Sequence, residues 1–147
     1  MVERAFENHA HSSGTEPDII ERLRRDRVPM LSLVAEQNGA LVGHIAFSPV
    51  AIADGAKRWY GLGPLSVEPA VQNGGIGKAL CEVGLARLRS EGAAGCTVLG
   101  NPDYYARFGF AHDPALIFPG VPAEYFQRVV FTGDPPAGEV SYAQAFG

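Results

Sequence analysis

The centre of the chain carries a hydrophobic pattern typical of strands. Leu31 to Glu36 and Leu41 to Ser48 are largely apolar runs, and the Asn38-Gly39 pair between them is the strongest short-range signal for a β-hairpin. Asp54-Gly55 marks a second turn, which leads into the run from Trp59 to Val67. The pattern therefore predicts an antiparallel meander of three strands.

Beyond this meander the apolar residues return at a helical period. The segment from Ile76 to Glu91 stops at Gly92, and Gly95 to Leu99 follows as a short buried strand. A strand, a helix and a strand in this order predict a parallel crossover. The chain is therefore expected to be an α/β protein with a mixed antiparallel and parallel sheet flanked by helices. The apolar face of the predicted helix comprises Ile76, Ala79, Leu80, Val83 and Leu88.

Both ends of the chain add further predicted elements. A helix is predicted from Pro17 to Arg25 or Asp26, because early acids precede an apolar stripe that includes Ile19 and Leu23. Towards the C-terminus, Glu124 to Phe131 and Glu139 to Phe146 read as closing strands.

Length and charge limit the classes of function. A chain of 147 residues fits a single domain spanning residues 1–147, and a net charge of −4 argues against nucleic acid as the main partner. No apolar run reaches the roughly 18 residues of a membrane span, and no signal-type segment is visible, so a soluble cytoplasmic protein without a membrane partner is expected. Cys81 and Cys96 lack metal-ligand spacing and read as buried thiols, so no metal is predicted.

The most informative stretch follows the third predicted strand, where a glycine-rich turn leads directly into a helix. The main-chain N–H groups at such a helix start have no partners within the helix, and the helix dipole adds partial positive charge, so the site suits a phosphate ester. Glycines also let the ligand approach the main chain closely. The residues of this loop are Gln72, Asn73, Gly74, Gly75, Ile76, Gly77 and Lys78.

Three glycine-loop chemistries compete for this stretch. A nucleoside triphosphate loop needs Ser or Thr after its lysine, but Lys78 is followed by Ala79. A dinucleotide fingerprint needs a third glycine where Leu80 stands. The third pattern, Gln/Arg-x-x-Gly-x-Gly/Ala, is met by Gln72 to Gly77. Here the chain resembles the GCN5-related N-acetyltransferases (GNAT), in which this loop binds the diphosphate of acetyl-coenzyme A.

A second signature strengthens the resemblance. The stretch from Thr97 to Phe110 reads as a strand and a short helix, and it ends in a Tyr-x-x-x-Gly-Phe motif that begins at Tyr105. The same family carries this motif at the same place. Two signatures in the right order are far more specific than either alone. The resemblance implies acetyl-coenzyme A as cosubstrate and an amine as acceptor, and it looks closest to a bacterial subgroup of predicted acetyltransferases.

The resemblance also assigns roles around the third predicted strand. Gly61, Gly63 and Pro64 are unusual in a regular strand and predict a bulge or a loss of pairing on one side. In the family this strand parts from the next one, and the pantetheine arm of the cofactor binds the main chain in the gap. That role is carried over to Leu65 and Val67, while the loop from Gln72 to Lys78 takes the diphosphate.

Acetyl transfer needs a polarised carbonyl and an acid for the leaving thiolate. By resemblance, the N–H of Leu65 polarises the carbonyl, and Tyr105 is the acid. Tyr104 is adjacent to Tyr105 but is expected to face elsewhere on the short helix. The sequence does not identify the general base, and the candidates are Glu36, His44, Glu68 and Asp103.

The chain departs from the family pattern in two places. Many relatives start with a strand before the first helix, whereas this chain starts almost at helical sequence, so the first strand is expected to be absent or displaced. In many relatives an Asn seven residues before this Tyr contacts the cofactor. Asn101 stands only four residues before Tyr105, so the cofactor contact is not carried over to it.

Together these observations predict an N-acetyltransferase that moves acetyl directly to a primary amine of a small molecule or protein. The alternative is a non-catalytic sensor of acyl-coenzyme A. A homodimer is left open.

Overall fold

The computed structural model describes residues 6–8, 18–23, 31–69 and 75–142. Its helices are α1 (Ile76–Ser90) and α2 (Pro102–Tyr105), and 3-10 turns follow at Ala106–Phe108 and Ala123–Tyr125. Its strands are β1 (Phe6–Asn8), β2 (Asp18–Leu23), β3 (Leu31–Gln37), β4 (Ala40–Ile52), β5 (Trp59–Val67), β6 (Gly95–Leu99), β7 (Ala111–His112), β8 (Leu116–Ile117), β9 (Phe126–Val130) and β10 (Gly138–Tyr142).

The strands form a mixed sheet in the order β1-β2-β3-β4-β5-β6-β9-β7, and β10 pairs with the end of β4 and with β8. The pairing of β5 with β6 is parallel, as the strand, helix and strand order predicts. The mixed sheet with α1 packed against it confirms the predicted α/β class.

The predicted meander of β3, β4 and β5 is present. Asn38 and Gly39 form the first turn with φ angles of 54° and 82°, and Asn and Gly tolerate this left-handed region at low cost. The second turn is held by Asp54, whose carboxylate accepts the N–H of Ala56 at 2.9 Å.

Two hydrophobic clusters cover the two faces of the sheet. On one face, α1 packs its buried side chains, including Leu80 and Leu88, against β3, β4 and β5. The close approach depends on Gly84, because a Cβ there would overlap the ring of Phe47. On the other face a smaller cluster gathers around Trp59, Phe126 and Val140. The sheet is therefore buried on both sides near its centre.

The N-terminal prediction was wrong. Asp18 to Leu23 is not helical but forms β2, which pairs with β3 from Asp18↔Glu36 to Leu23↔Leu31, and β1 pairs with β2. The first strand was expected to be absent or displaced. It is not absent from the described residues, since β1 and β2 precede β3. The apolar stripe was compatible with either element, and pairing with an adjacent strand outweighs a local helical pattern.

Candidate active site

The sheet opens between β5 and β6. The two strands pair only from Trp59↔Gly95 to Leu62↔Val98. Beyond that point β5 stays with β4 as far as Gly43↔Val67, whereas β6 stays with β9 through Leu99↔Phe126. A wedge-shaped gap therefore widens from Leu62 towards Val67, where the sequence predicted that the strands part.

A bulge in β5 marks the start of this gap. The register between β4 and β5 shifts so that Gly63 and Pro64 together lie opposite Ala46, between the pairs Ile45↔Leu65 and Phe47↔Leu62. Proline has no N–H to donate, so a strand partner at this position would lose a hydrogen bond. The composition of β5 therefore accounts for the place where its pairing with β6 ends.

The pairing geometry fixes which main-chain groups face the gap. Glu68 donates its N–H to the carbonyl of Val42 at 2.8 Å, so residue 68, and residue 66 by alternation, direct their main-chain groups towards β4. The intervening residues, Leu65 and Val67, direct theirs to the opposite side, towards the gap. This is the orientation that the roles predicted for Leu65 and Val67 require.

The start of α1 lies beside the same gap. Gly75 precedes the helix with φ 80°, a left-handed conformation that suits glycine. The N–H of Ala79 donates to the carbonyl of Gly75 at 3.0 Å, so the N–H groups of residues 76–78 point out of the helix end. No described side chain caps this end, and its first turn contains no acidic residue. Lys78 is exposed, while the Ile76 side chain is buried, so Ile76 can offer only its main chain to a ligand.

Three of the predicted loop residues, Gln72, Asn73 and Gly74, lie outside the described residues. Their predicted contacts with a diphosphate remain predictions. The part of the loop that the structure does describe, Gly75 to Lys78, has the local geometry of an anion site.

Tyr105 is the last residue of α2, which follows β6 on the other side of the gap. Its half-buried ring packs edge-on against Phe110 at 5.8 Å between centroids. Burial, reinforced by the neighbouring Cys81, Tyr104 and Cys96, raises the pKa of Tyr105 to about 12. The phenol therefore holds its proton throughout the neutral range.

Tyr104, expected to face elsewhere, lies in the site. A Cβ placed on Gly77 would lie 2.9 Å from the Tyr104 hydroxyl oxygen, 3.6 Å from a methyl group of Val67 and 4.0 Å from one of Leu65. Four residues from β5, α1 and α2 thus meet at one point. The sequence carries no clear signal for this contact, because the rotation of a four-residue helix about its axis cannot be read from periodicity.

The candidates for a general base are scattered. His44 is half-buried on β4 and its Nε2 lies 2.9 Å from the Ser32 hydroxyl, while Glu36 is half-buried on β3. Glu68 and Asp103 are exposed. The geometry singles out none of them.

Asn101 has a structural role. Its side chain accepts the N–H of Asp103 at 2.9 Å and so caps the start of α2. This capping positions the helix that carries both tyrosines.

The two cysteines are free thiols and both are buried. Burial raises the pKa of Cys81 to about 12 and that of Cys96 well above its ordinary value. Among the described residues no cluster of three or more His, Cys, Asp or Glu side chains could hold a metal ion, and no described helix is both long and apolar enough to cross a membrane.

A parted pair of parallel strands, main-chain groups that face the gap and an uncapped helix start beside it define an acyl-coenzyme A transferase fold. The family model described as Acetyltransferase (GNAT) family matches residues 2–110, and the chain belongs to this family. Membership confirms the predicted class of enzyme, an acetyl-coenzyme A-dependent acyltransferase.

Two curated relatives come from Escherichia coli K12. The uncharacterized N-acetyltransferase YhbS is 33% identical over 130 residues, which is 85% of this chain and 75% of the relative. The uncharacterized N-acetyltransferase YjhQ is 35% identical over 126 residues, which is 83% of this chain and 68% of the relative.

Solved structures give the same result. A GNAT family acetyltransferase from Brucella melitensis, in complex with acetyl-coenzyme A, is 51% identical with a TM-score of 0.67, and the match covers 80% of this chain and 68% of that one. Escherichia coli YhbS in complex with coenzyme A is 32% identical with a TM-score of 0.73, and the match covers 79% and 68%.

Proposed function

We propose that this protein transfers acetyl from acetyl-coenzyme A directly to a primary amine within a ternary complex. The observation that carries the proposal is the gap between β5 and β6, into which Leu65 and Val67 direct their main-chain groups. The Brucella melitensis and YhbS structures, which hold acetyl-coenzyme A and coenzyme A, support the choice of ligand.

The described residues fit such a ligand in two places. The main chain of β5 can hydrogen-bond an extended amide arm as it would another strand. The N–H groups at the start of α1 suit the negative charge of a diphosphate, and Lys78 is exposed beside them. Gln72, Asn73 and Gly74 are proposed to complete that site.

In the proposed reaction the amine nitrogen attacks the thioester carbonyl, the carbon–sulfur bond breaks, and the sulfur leaves as a thiolate. Leu65 donates its N–H to the carbonyl oxygen as negative charge develops there, a contribution on the order of 3 kcal/mol for one such donor. Tyr105 gives its phenolic proton to the leaving sulfur. A base or water takes the proton that the amine loses.

The thiols of the chain favour direct transfer over a covalent acyl-enzyme. The thiolate is the nucleophilic form of cysteine. Cys81 and Cys96 are buried and their pKa values are raised, so neither presents a thiolate at neutral pH.

Two reduced cysteines also support a cytoplasmic location.

The acceptor is proposed to be a primary amine of a small molecule or a protein. The residues that should shape its site include the segment from Ala111 to Pro122, which follows the short helix of the tyrosines. Its identity requires a screen of amines.

The test is release of free thiol from acetyl-coenzyme A with a panel of amines. Tyr105→Phe should lower kcat by about 10²-fold or more, in the range for loss of a general acid. Tyr125→Phe, which removes an exposed hydroxyl, is the matched control and should keep kcat. Binding of acetyl-coenzyme A without turnover of any amine would instead favour the sensor, and an unchanged kcat in Tyr105→Phe would remove that residue from the mechanism.

A further inference from the structure

Tyr104 is held across the mouth of the gap. It belongs to α2, which follows β6, yet its hydroxyl lies against Gly77 in the first turn of α1, which follows β5. The side chain therefore spans from one wall of the wedge to the other. The hydroxyl therefore lies close to the path between the start of α1 and Leu65.

The ring of Tyr104 is fixed on several sides. Arg107 places its guanidinium over one face, with Cζ 4.7 Å from the ring centroid. Tyr105 and Phe108 pack edge-on at 5.0 Å and 5.6 Å between centroids. These contacts hold the ring in one orientation, so the hydroxyl is positioned before a ligand binds.

The hydroxyl itself is available for a ligand. No hydrogen bond joins it to another residue in the described part of the chain. Burial raises the pKa of Tyr104, so the group is a neutral donor and acceptor at physiological pH. A partly buried hydroxyl without a protein partner gains most from a ligand that supplies one.

We propose that the Tyr104 hydroxyl hydrogen-bonds the coenzyme A arm between the diphosphate and the thioester. The two adjacent tyrosines then have different roles. Tyr104 binds the cofactor, and Tyr105 acts on the leaving sulfur. The inference rests on the proposed function, because it assumes that coenzyme A occupies the gap.

Tyr104→Phe tests this division, because it removes the hydroxyl and keeps the ring with its contacts to Arg107 and Phe108. Calorimetric titration with coenzyme A should show a Kd raised about three- to tenfold, as expected for one lost hydrogen bond. The KM for acetyl-coenzyme A should rise similarly while kcat stays within about twofold. Tyr105→Phe should show the opposite pattern, and Tyr125→Phe should change neither quantity.

Gly77→Ala provides a second route to the same contact. Its new Cβ would crowd the Tyr104 hydroxyl but meet Val67 and Leu65 at ordinary distances, so the hydroxyl must move. Because Gly77 also belongs to the loop proposed to take the diphosphate, Gly77→Ala has its own effect on the Kd. The shared contact is therefore measured in the double variant, where Tyr104→Phe should cost less in the Gly77→Ala background than in the unmodified protein. Circular dichroism shows whether each variant keeps its fold before the Kd values are compared.

The outcomes separate the two proposals. If the unmodified protein binds coenzyme A and Tyr104→Phe binds it equally tightly, the role of Tyr104 is wrong and the proposed function stands. If the unmodified protein gives no heat with coenzyme A or acetyl-coenzyme A, the proposed function fails and the inference fails with it.

Discussion

The two ends of the β5–β6 pair use aromatic side chains differently. At the closed end, Trp59 lies over Gly95 and Tyr142 lies over Gly61, each so close that a Cβ on the glycine would overlap the ring. At the open end, where the strands no longer pair, the Tyr104 hydroxyl reaches Gly77, and the Tyr105 ring packs edge-on against that of Tyr104. The main-chain groups of the closed end bond to each other, whereas Leu65 directs its main-chain groups away from β4, towards the gap. The aromatic side chains therefore pack against paired strands at the closed end and lie beside unpaired ones at the open end.

The largest effect is expected when the aromatic packing of the closed end is removed. Trp59 is only 2% exposed, and Trp59→Ala should lower the free energy of unfolding by about 3–5 kcal/mol through lost burial and the resulting cavity. Urea unfolding followed by far-ultraviolet circular dichroism measures the change, since the variant lacks the single tryptophan of the chain. Trp59→Phe is the control and should cost less. A loss under about 1 kcal/mol for Trp59→Ala would contradict the closed-end packing.

Overfilling the closed end should have the next largest effect. Gly61→Ala would push a Cβ into the Tyr142 ring and to 3.0 Å from a Val50 methyl group. Overpacking of this kind costs about 1–3 kcal/mol, again measured by urea unfolding. In a Tyr142→Leu background the same substitution should cost less, because the ring it collides with is gone. An equal cost in both backgrounds would show that the collision does not matter.

The smallest effect concerns alkaline pH. Burial raises the pKa of Tyr105 and of Tyr142 to about 12, from an ordinary value near 10. The unfolded chain therefore releases these protons first, so stability is full below pH 10 and falls as pH rises towards about 12. Tyr105→Phe and Tyr142→Phe should each flatten that fall, as measured by unfolding at several pH values.

The same two tyrosines distinguish the ends when a ligand is added. Saturating coenzyme A should shift the ultraviolet titration of tyrosinate in the protein with Tyr105 intact and leave the contribution of Tyr142 unchanged. Difference titrations of the two Phe variants separate the contributions. A shift that disappears only in Tyr142→Phe would place the ligand at the wrong end.

Much of the fold could be predicted because its signals are local. Asn38-Gly39 adopts the positive φ angles that a tight hairpin needs, and Gly63-Pro64 interrupts pairing where proline has no N–H to donate. The stretch from Asp18 to Leu23 was misread because its apolar residues fit a helix or a strand. Its pairing with β3 is a long-range contact that the segment itself does not encode.

The site was predictable as far as it depends on the main chain. The roles of Leu65 and Val67 came from the family resemblance, while the composition of β5 independently predicted a loss of pairing on one side. The glycine-rich turn before an apolar helical pattern predicted the open start of α1. Tyr104 was misplaced because its position depends on how α2 docks across the gap. That docking is a property of the assembled sheet and leaves no periodic trace in the sequence.

The position of β10 has a consequence for how the protein is made. This strand pairs with the end of β4, and its Tyr142 covers Gly61 and lies 3.1 Å from the Thr97 hydroxyl. Because a chain is synthesised from its N-terminus, β5, α1 and β6 leave the ribosome before Tyr142. The packing of the closed end is therefore complete only after β10 has been synthesised and has paired with β4.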